Sequence, residues 1–323
     1  FSKYFLYNFL KNSIMTIPSS LIKKKANDLG IQKVGIAKAT DTFIERERLE
    51  TWLRRGNHAE MEWIKKRKNE RGDIYSYFPE AKSVISVGIN YYTGQSQDDL
   101  KSDYKFSNYA WGEDYHSVLK NKLIILSNWI QKLKPNSKSI VCVDTSPVME
   151  KVWAQRAGIG WIGKHTNLIS PDYGSWLFLG EIILDFKLEY DNPFDADLCG
   201  TCTACIDECP TQALTDYILD SKKCISYLTI EHRGPFMEED KGLEGWIYGC
   251  DICQDVCPWN KKFSQESEHG EFQARKEILN HNNKDWENIS EDQFKSIFKN
   301  SAAKRTKYVG LKRNIINNMK KDV

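Results

Sequence analysis

Seven of the nine cysteines stand in two compact runs, Cys199-x2-Cys202-x2-Cys205-x3-Cys209-Pro210 and Cys250-x2-Cys253-x3-Cys257-Pro258, and an eighth, Cys224, lies between them. A stretch so dense in thiols folds around metal. Three thiolates spaced by two residues wrap one corner of an iron–sulfur cubane, and a fourth, set off before proline, ligates the neighbouring cluster; this is the bacterial ferredoxin spacing. The second run offers only two closely spaced thiolates before its terminal Cys-Pro, and Cys224 makes up the deficit. The crossover rule then assigns Cys199, Cys202, Cys205 and Cys257 to one 4Fe-4S cluster and Cys209, Cys224, Cys250 and Cys253 to a second. The alternatives are a zinc ribbon and a disulfide framework. Zinc takes four ligands in two pairs, and disulfide frameworks suit short secreted chains, whereas this one has 323 residues and opens without a small-residue cleavage site. Cys142, alone in the apolar run Ile140-Val141-Cys142-Val143, reads as a buried core thiol.

The rest of the chain is globular in composition. No apolar stretch approaches the roughly 20 residues that a membrane-spanning helix needs. The first residue is Phe, so translation is expected to start at Met15, with residues 1–16 an extension of no structural importance. Reduced thiols and oxygen-sensitive clusters place the expected location in the cytoplasm. Net charge is only +2, but from Lys299 to the end eight basic residues (Lys299, Lys304, Arg305, Lys307, Lys312, Arg313, Lys320, Lys321) face one acid, Asp322. Such a face suits phosphate, and a solvated tail is the alternative.

Periodicity and breakers give helices over 21–29, 43–55 and 116–133, the last from Leu119, Leu123, Leu126, Ile130 and Leu133 at helical spacing. Strands are predicted at 33–37, 83–91, 139–143 and 176–184, and a further helix opens at Ser146-Pro147 and closes at Gly158. Strands and helices alternate to about residue 190, followed by the cysteine module and a helical region. The predicted organisation is α+β, with a domain over 17–190, a two-cluster ferredoxin-like module over 191–262 and a helical basic region over 263–323.

Asp144 stands at the end of the third strand, before a helix expected to have Ser146 as N-cap and Pro147 at its first position. A strand's carboxyl end is where α/β sheets gather ligands, which makes Asp144 a catalytic candidate; a capping aspartate is the alternative. Gly158-Ile159-Gly160-Trp161-Ile162-Gly163 spells G-x-G-x-x-G, with Asp185 about 20 residues on, the spacing of a dinucleotide fold. The context does not fit nicotinamide binding, because these glycines close a helix rather than open one. They are expected to let the backbone pass close to a large flat ligand, with Lys164 and Asn167 as donors.

Four segments carry a family resemblance: DTSPVMEKVWAQRAGIGWIGKHTNLI from Asp144, then CGTCTACIDECPTQAL, ISYLTIEHRG and YGCDICQDVCPWN. In that order they resemble the epoxyqueuosine reductases, cobalamin-dependent iron–sulfur enzymes of tRNA modification, over about residue 17 to the end. Looser similarity reaches the reductive dehalogenases. The resemblance implies a nitroreductase-like, cobalamin-binding amino-terminal domain. Within it, Asp144 of D-x-x-P-x-x-E is the implied proton donor, and Arg67, Lys164, Asn167, Leu168 and Ser226 are the implied cobalamin contacts. It implies a tRNA substrate carrying epoxyqueuosine in the anticodon loop, an external low-potential electron donor, no membrane partner, and a monomer. Arg305, Lys307, Lys312 and Arg313 are the expected nucleic-acid contacts. Longer members carry a carboxyl-terminal helical repeat region, whereas here the sequence ends soon after Arg313-Asn314.

The implied reaction deoxygenates an epoxide to an alkene, for which a reduced corrinoid supplies electrons that side chains cannot. Asp144 would protonate the departing oxygen, and burial would raise its pKa towards neutrality for that role. Two rival functions share the motifs: a reductive dehalogenase-like reductase of a small molecule, and a non-catalytic ferredoxin-type carrier.

Overall fold

The structure, a computed structural model, describes residues 17–236 and 242–319. Residues 1–16, with the expected start at Met15, and the tail residues Lys320, Lys321 and Asp322 lie outside the described residues.

The amino-terminal half is built on helices α1 (Ser19–Asp28), α2 (Phe43–Arg54), α3 (Tyr115–Leu133) and α4 (Glu150–Arg156) and strands β1 (Lys33–Lys38), β2 (Ser83–Asn90), β3 (Ser139–Cys142) and β4 (Leu177–Leu184). The strands form one sheet in the order β1-β2-β4-β3, antiparallel at every pairing. β2 and β4 are buried along their whole length, which suits their unbroken apolar runs and puts them at the centre. One face packs Ile36, Ile85, Val87, Ile89 and Ile182 against Ile22 and Ala26 of α1 and Leu119, Leu123, Leu126 and Ile130 of α3. Each of these leucines, fully buried, stabilises the fold by about 1.5–3 kcal/mol. The other face packs Val84, Cys142 and Ile183 against Trp153 of α4 and Ala157, its C-cap. Cys142 is a core thiol, as expected. α4 lies so close to β1 that a Cβ on Gly35 would meet the Ala157 carbonyl oxygen at 1.9 Å.

Two local expectations fail. The helix after β3 begins at Glu150, with Met149 as its cap, not at Ser146-Pro147. Asp144 takes a left-handed φ of 53°, and Val148 N–H bonds the Ser146 carbonyl at 2.8 Å, so residues 144–149 form a loop. Pro147 contributes, because it disfavours the helical region for Ser146. The second failure is the ligand rule for strand carboxyl ends, which belongs to parallel sheets. Here Asp144 is positioned by its loop.

Beyond residue 198 the chain makes short turns around the cysteines, including α5 (Ala204–Asp207), α6 (Ile225–Ile230), β5 (Trp246–Tyr248), α7 (Ile252–Asp255) and α8 (Pro258–Phe263). β5 pairs in parallel with Lys105–Phe106. One buried cluster joins Phe106 and Trp111 to Tyr248, Trp286, Phe298, Leu311 and Ile315. The last described helix, α9 (Lys307–Met319), is stitched to the cysteine module by Asn314. That fully buried amide donates to the carbonyls of Thr229 and Ile247, both at 2.8 Å.

Candidate functional site

Asp144 is held at its carboxylate and at its backbone N–H. His116, in the first turn of α3, places Nε2 at 2.9 Å from Asp144 Oδ2 and Nδ1 at 2.6 Å from Asp114 Oδ1, the N-cap of that helix. Asp144 N–H donates to Glu150 Oε1 at 2.5 Å. Burial alone would lower the His116 pKa, but its two carboxylate partners override this and lift it to about 9. The ring is therefore an imidazolium at neutral pH. For Asp144, crowding by protein pushes the pKa up, yet the hydrogen bond and charge of His116, then Tyr115 and Arg71, hold it below the ordinary carboxylate range. This corrects the expected upward shift: the side chain is 53% exposed, and the proton sits on the neighbouring histidine. Glu150 behaves in the opposite way, with burial and the Asp144 charge pushing it up to about 8.

Beside this loop lies a cavity of about 340 Å³. Leu168, Leu177, Leu179, Leu214 and Leu219 give it apolar walls, Tyr91, Tyr109, Tyr115 and Phe178 give it aromatic ones, and Glu150, Lys151, His165, Asn167 and Ser226 supply polar groups. Lys151 Nζ ties the wall together, donating to Thr166 O and Asn167 Oδ1, both at 2.9 Å. His165 is buried; its Nδ1 accepts from Asn167 N–H at 3.1 Å, and its Nε2 has no hydrogen-bond partner. Burial, then the Lys151 charge, lowers its pKa to about 4, so the ring is neutral and Nε2 bears the hydrogen. Apolar walls, a few polar groups and one buried unpartnered donor fit a flat macrocycle fringed with amides.

Of the residues expected to touch cobalamin, Asn167, Leu168 and Ser226 line this cavity. Arg67 and Lys164 are not part of its lining. Arg67 bonds Glu70 at 3.3 Å and lies over the Tyr77 ring, and the buried Lys164 pairs with Asp216 at 3.7 Å. The glycine motif has a different purpose from the one expected. None of its glycines lines the cavity; a Cβ on Gly160 would meet the Ile169 carbonyl oxygen at 2.0 Å, so Gly160 lets the 161–162 strand close on 168–169.

No disulfide links any of the nine cysteines. Burial, then Cys257, Cys199 and Cys202, pushes the Cys205 thiol up to about 11. Cys253 is raised by burial and then by Cys224, with Cys205 and Cys209 contributing further, while Cys224 feels Cys209. Buried thiols that crowd one another in this way fit a multivalent iron centre, which deprotonates its ligands outright. Trp161 Nε1–H donates to Cys199 Sγ at 3.4 Å and Ala213 N–H to Cys209 Sγ at 3.3 Å, the kind of contact that tunes a cluster. Cys209, Cys224, Cys250 and Cys253 all line the cavity, and none of the other four does.

On another side a cleft of about 460 Å³ is lined by Trp63, Met61, Arg233, Lys304, Arg305 and Lys307, with Glu60 and Glu231. Arg305 makes a forked pair with Glu231 and feels the charge of Asp144. The remaining two expected nucleic-acid contacts are structural anchors: Lys312 Nζ donates to Glu287 O at 2.5 Å, and Arg313 donates to the carbonyls of Leu228, His232 and Gly234 while covering the Phe236 ring. His116, His165, Arg233 and Trp63 escaped the sequence reading, and Glu150 entered it only as the last residue of D-x-x-P-x-x-E, without a role.

Two family descriptions match the chain: "Epoxyqueuosine reductase QueG, DUF1730" over residues 71–145 and "4Fe-4S double cluster binding domain" over 198–260. The epoxyqueuosine reductase of Cellulophaga algicola is 46% identical over 92% of this chain and 96% of its own length, and that of Synechocystis sp. is 44% identical over 87% and 98%. A crystal structure of a selenomethionine-labelled epoxyqueuosine reductase superposes with a TM-score of 0.84 at 30% identity, over 93% of this chain and 80% of that one. Another, holding an epoxyqueuosine-modified tRNA stem loop, superposes at 0.83 with the same identity and coverage.

Proposed function

The chain belongs to the epoxyqueuosine reductase family, and from that membership we propose how its residues divide the work of reducing epoxyqueuosine in tRNA to queuosine. It is an oxidoreductase with two 4Fe-4S clusters. The observation that carries the assignment of roles is the position of Asp144. Its backbone N–H meets Glu150 of the cavity at 2.5 Å, its charge reaches Arg305 of the basic cleft, and Cys209, Cys224, Cys250 and Cys253 open onto that same cavity.

Asn167, Leu168, Ser226 and His165 would hold cobalamin in the cavity, with Arg67 and Lys164 outside its described lining. Cys199, Cys202, Cys205 and Cys257 would hold one cluster, and Cys209, Cys224, Cys250 and Cys253 the one nearer the cavity. When bound, these groups supply the low-potential electrons that no side chain provides. Everything else falls to the protein. The epoxide oxygen needs a proton as it leaves, and Asp144, only half exposed, is the donor at the reacting end. Its proton is drawn from His116 along the 2.9 Å hydrogen bond, and Asp114 stabilises the imidazolium between turnovers. A carboxyl that hands on a neighbour's proton needs no elevated pKa of its own.

The tRNA would approach over the cleft, where Lys304, Arg305 and Lys307 face phosphate and Trp63 offers a ring for an unstacked loop base. Arg233 anchors the cleft wall by donating to the carbonyls of Ile230, His232 and Arg305. One relative has been seen with an epoxyqueuosine-modified stem loop, which supports a tRNA substrate for this chain. The enzyme would work as a cytoplasmic monomer fed by an external low-potential donor. No helix among the described residues is long and apolar enough to cross a membrane.

The test is reduction of epoxyqueuosine-bearing tRNA by anaerobic, cobalamin-supplemented protein, read by mass spectrometry of the nucleosides. Loss of one oxygen from epoxyqueuosine, dependent on cobalamin and reductant, is the expected result. Iron-replete protein that leaves the nucleoside unchanged but dehalogenates a small molecule would return the rival reading.

A further inference from the structure

Converting an epoxide to an alkene and water consumes two electrons and two protons, and Asp144 with His116 delivers one of those protons. The second needs another proton-bearing group at the cavity. Among the described residues that line it, Lys151 is tied to Thr166 O and Asn167 Oδ1, and burial holds the Tyr91, Tyr109 and Tyr115 phenols well above their ordinary range, which leaves two carboxyls, Glu150 and Asp251. Asp251 is already engaged at both oxygens: Oδ1 accepts from Ser107 Oγ–H at 2.5 Å and Oδ2 from Asn108 N–H at 2.7 Å. Glu150 Oε1 accepts from Asp144 N–H, so this carboxyl touches the loop that carries the first donor while facing the cavity.

Behind it stands a second carboxyl, Glu181 of β4, fully buried and opposite Ser86 and Cys142 in the sheet register. Ser86 Oγ–H donates to its Oε1 at 3.3 Å, and its Oε2 has no hydrogen-bond partner. An anion there would be buried and uncompensated, so Glu181 stays a neutral acid. The charge left on Glu150 after proton loss therefore meets no like charge from the sheet.

We propose that Glu150 is the second acid of the reduction, a role that rests on the reading of Asp144 given above. As both epoxide C–O bonds break and the carbon–carbon double bond forms, Asp144 protonates the oxygen once and Glu150 protonates it again. The oxygen leaves as water, the two electrons come from the reduced corrinoid and clusters, and Glu150 recovers its proton between turnovers. The groups facing Glu150 are Asp144, Arg71, Lys151, Glu181, Cys142 and Tyr115. Burial and Asp144 raise it to about 8 against the pull of the Asp144 N–H, Arg71 and Lys151, so it carries a proton at neutral pH and loses it as pH rises through that value.

The experiment compares the parent holoenzyme with Glu150→Gln, Glu150→Ala and Asp144→Asn, measuring kcat and KM against pH and, on the same full-length proteins, an infrared titration with labelled glutamate. Gln keeps the oxygen that accepts Asp144 N–H, so it separates proton supply from loop support. The expected result is a loss of about 100-fold in kcat for both Glu150 variants with KM unchanged. A glutamate carboxyl signal titrating near pH 8 in the parent should vanish in both. Full activity in Glu150→Gln with loss only in Glu150→Ala would reduce Glu150 to a prop for the loop and overturn the proposal. So would a signal near pH 8 that persists in Glu150→Gln. Retained turnover in Asp144→Asn would instead overturn the reading on which the proposal rests.

Discussion

His116 Nε2 lies 2.9 Å from Asp144 Oδ2 while its other ring nitrogen meets Asp114 at 2.6 Å, so one imidazole bridges two carboxylates. The bridge explains how an acid on an open loop keeps a fixed pose. Asp144 has a left-handed φ of 53°, a conformation that aspartate tolerates better than most residues. His116 and Glu150 both bind it, one at the carboxylate and one at the backbone.

Replacing Asp144 with Asn keeps the side-chain length and removes the transferable proton. Turnover on tRNA should fall by about 100-fold or more while cobalamin and iron contents stay at the parent level. If Asp144 served only the loop, the same variant would lower the thermal midpoint and preserve the rate per folded molecule. Both quantities can be read on one preparation.

The bridge also sets a pH dependence. His116 has a folded pKa of about 9 against an ordinary 6.5, so it binds its proton more tightly in the folded state. The stability this adds is fully present below about 6.5 and is lost as pH rises through about 9. Asp114 and Asp144 are lowered, so their contribution is present above the ordinary carboxylate range and lost on acidification. His116→Gln should remove the alkaline loss of thermal midpoint between those two pH values and depress turnover at neutral pH. An unchanged alkaline profile would place the imidazolium elsewhere.

Cys224 tests the ligand sets. Two cubanes require about eight iron and eight sulfide per chain. Cys224→Ala removes one thiol from the set that lines the cavity, and the ninth cysteine, Cys142, is buried against the sheet and cannot replace it. Iron should fall to about half, with the set that includes Cys257 keeping its cubane. Iron at the parent level would remove Cys224 from the ligands.

Much of this was legible because its signal is local. Cysteine spacing pointed to the double-cluster domain over 198–260, and the apolar runs of β2, β4 and α3 marked the elements that carry the site. The antiparallel pairing was not legible, since a run buried on both faces looks alike in either kind of sheet. Nor was the protonation at Asp144, which depends on His116, a residue 28 positions earlier in the chain. The glycine motif misled for the same reason: the atom that excludes a side chain at Gly160 belongs to Ile169, across a hairpin.

The basic carboxyl terminus gives the last prediction, and the structure divides it. Arg305 and Lys307 line the cleft with Lys304, whereas Lys312 and Arg313 are bonded to main-chain carbonyls. Phosphate contacts release counterions, so each lost contact lowers the salt slope of binding by roughly 0.7 to 0.9 units. Neutralising Lys304, Arg305 and Lys307 together should weaken tRNA binding and flatten its salt dependence by about two units, with iron and cobalamin contents unchanged. Arg305 contributes the least of the three, because leaving Glu231 for a phosphate gives up a forked pair. Replacing Lys312 and Arg313 with Met should do the reverse, lowering the thermal midpoint as α9 loosens from the cysteine module while the slope for the folded fraction stays at the parent value. A flattened slope from the second pair with none from the first would move the tRNA contact from the cleft to the face of α9.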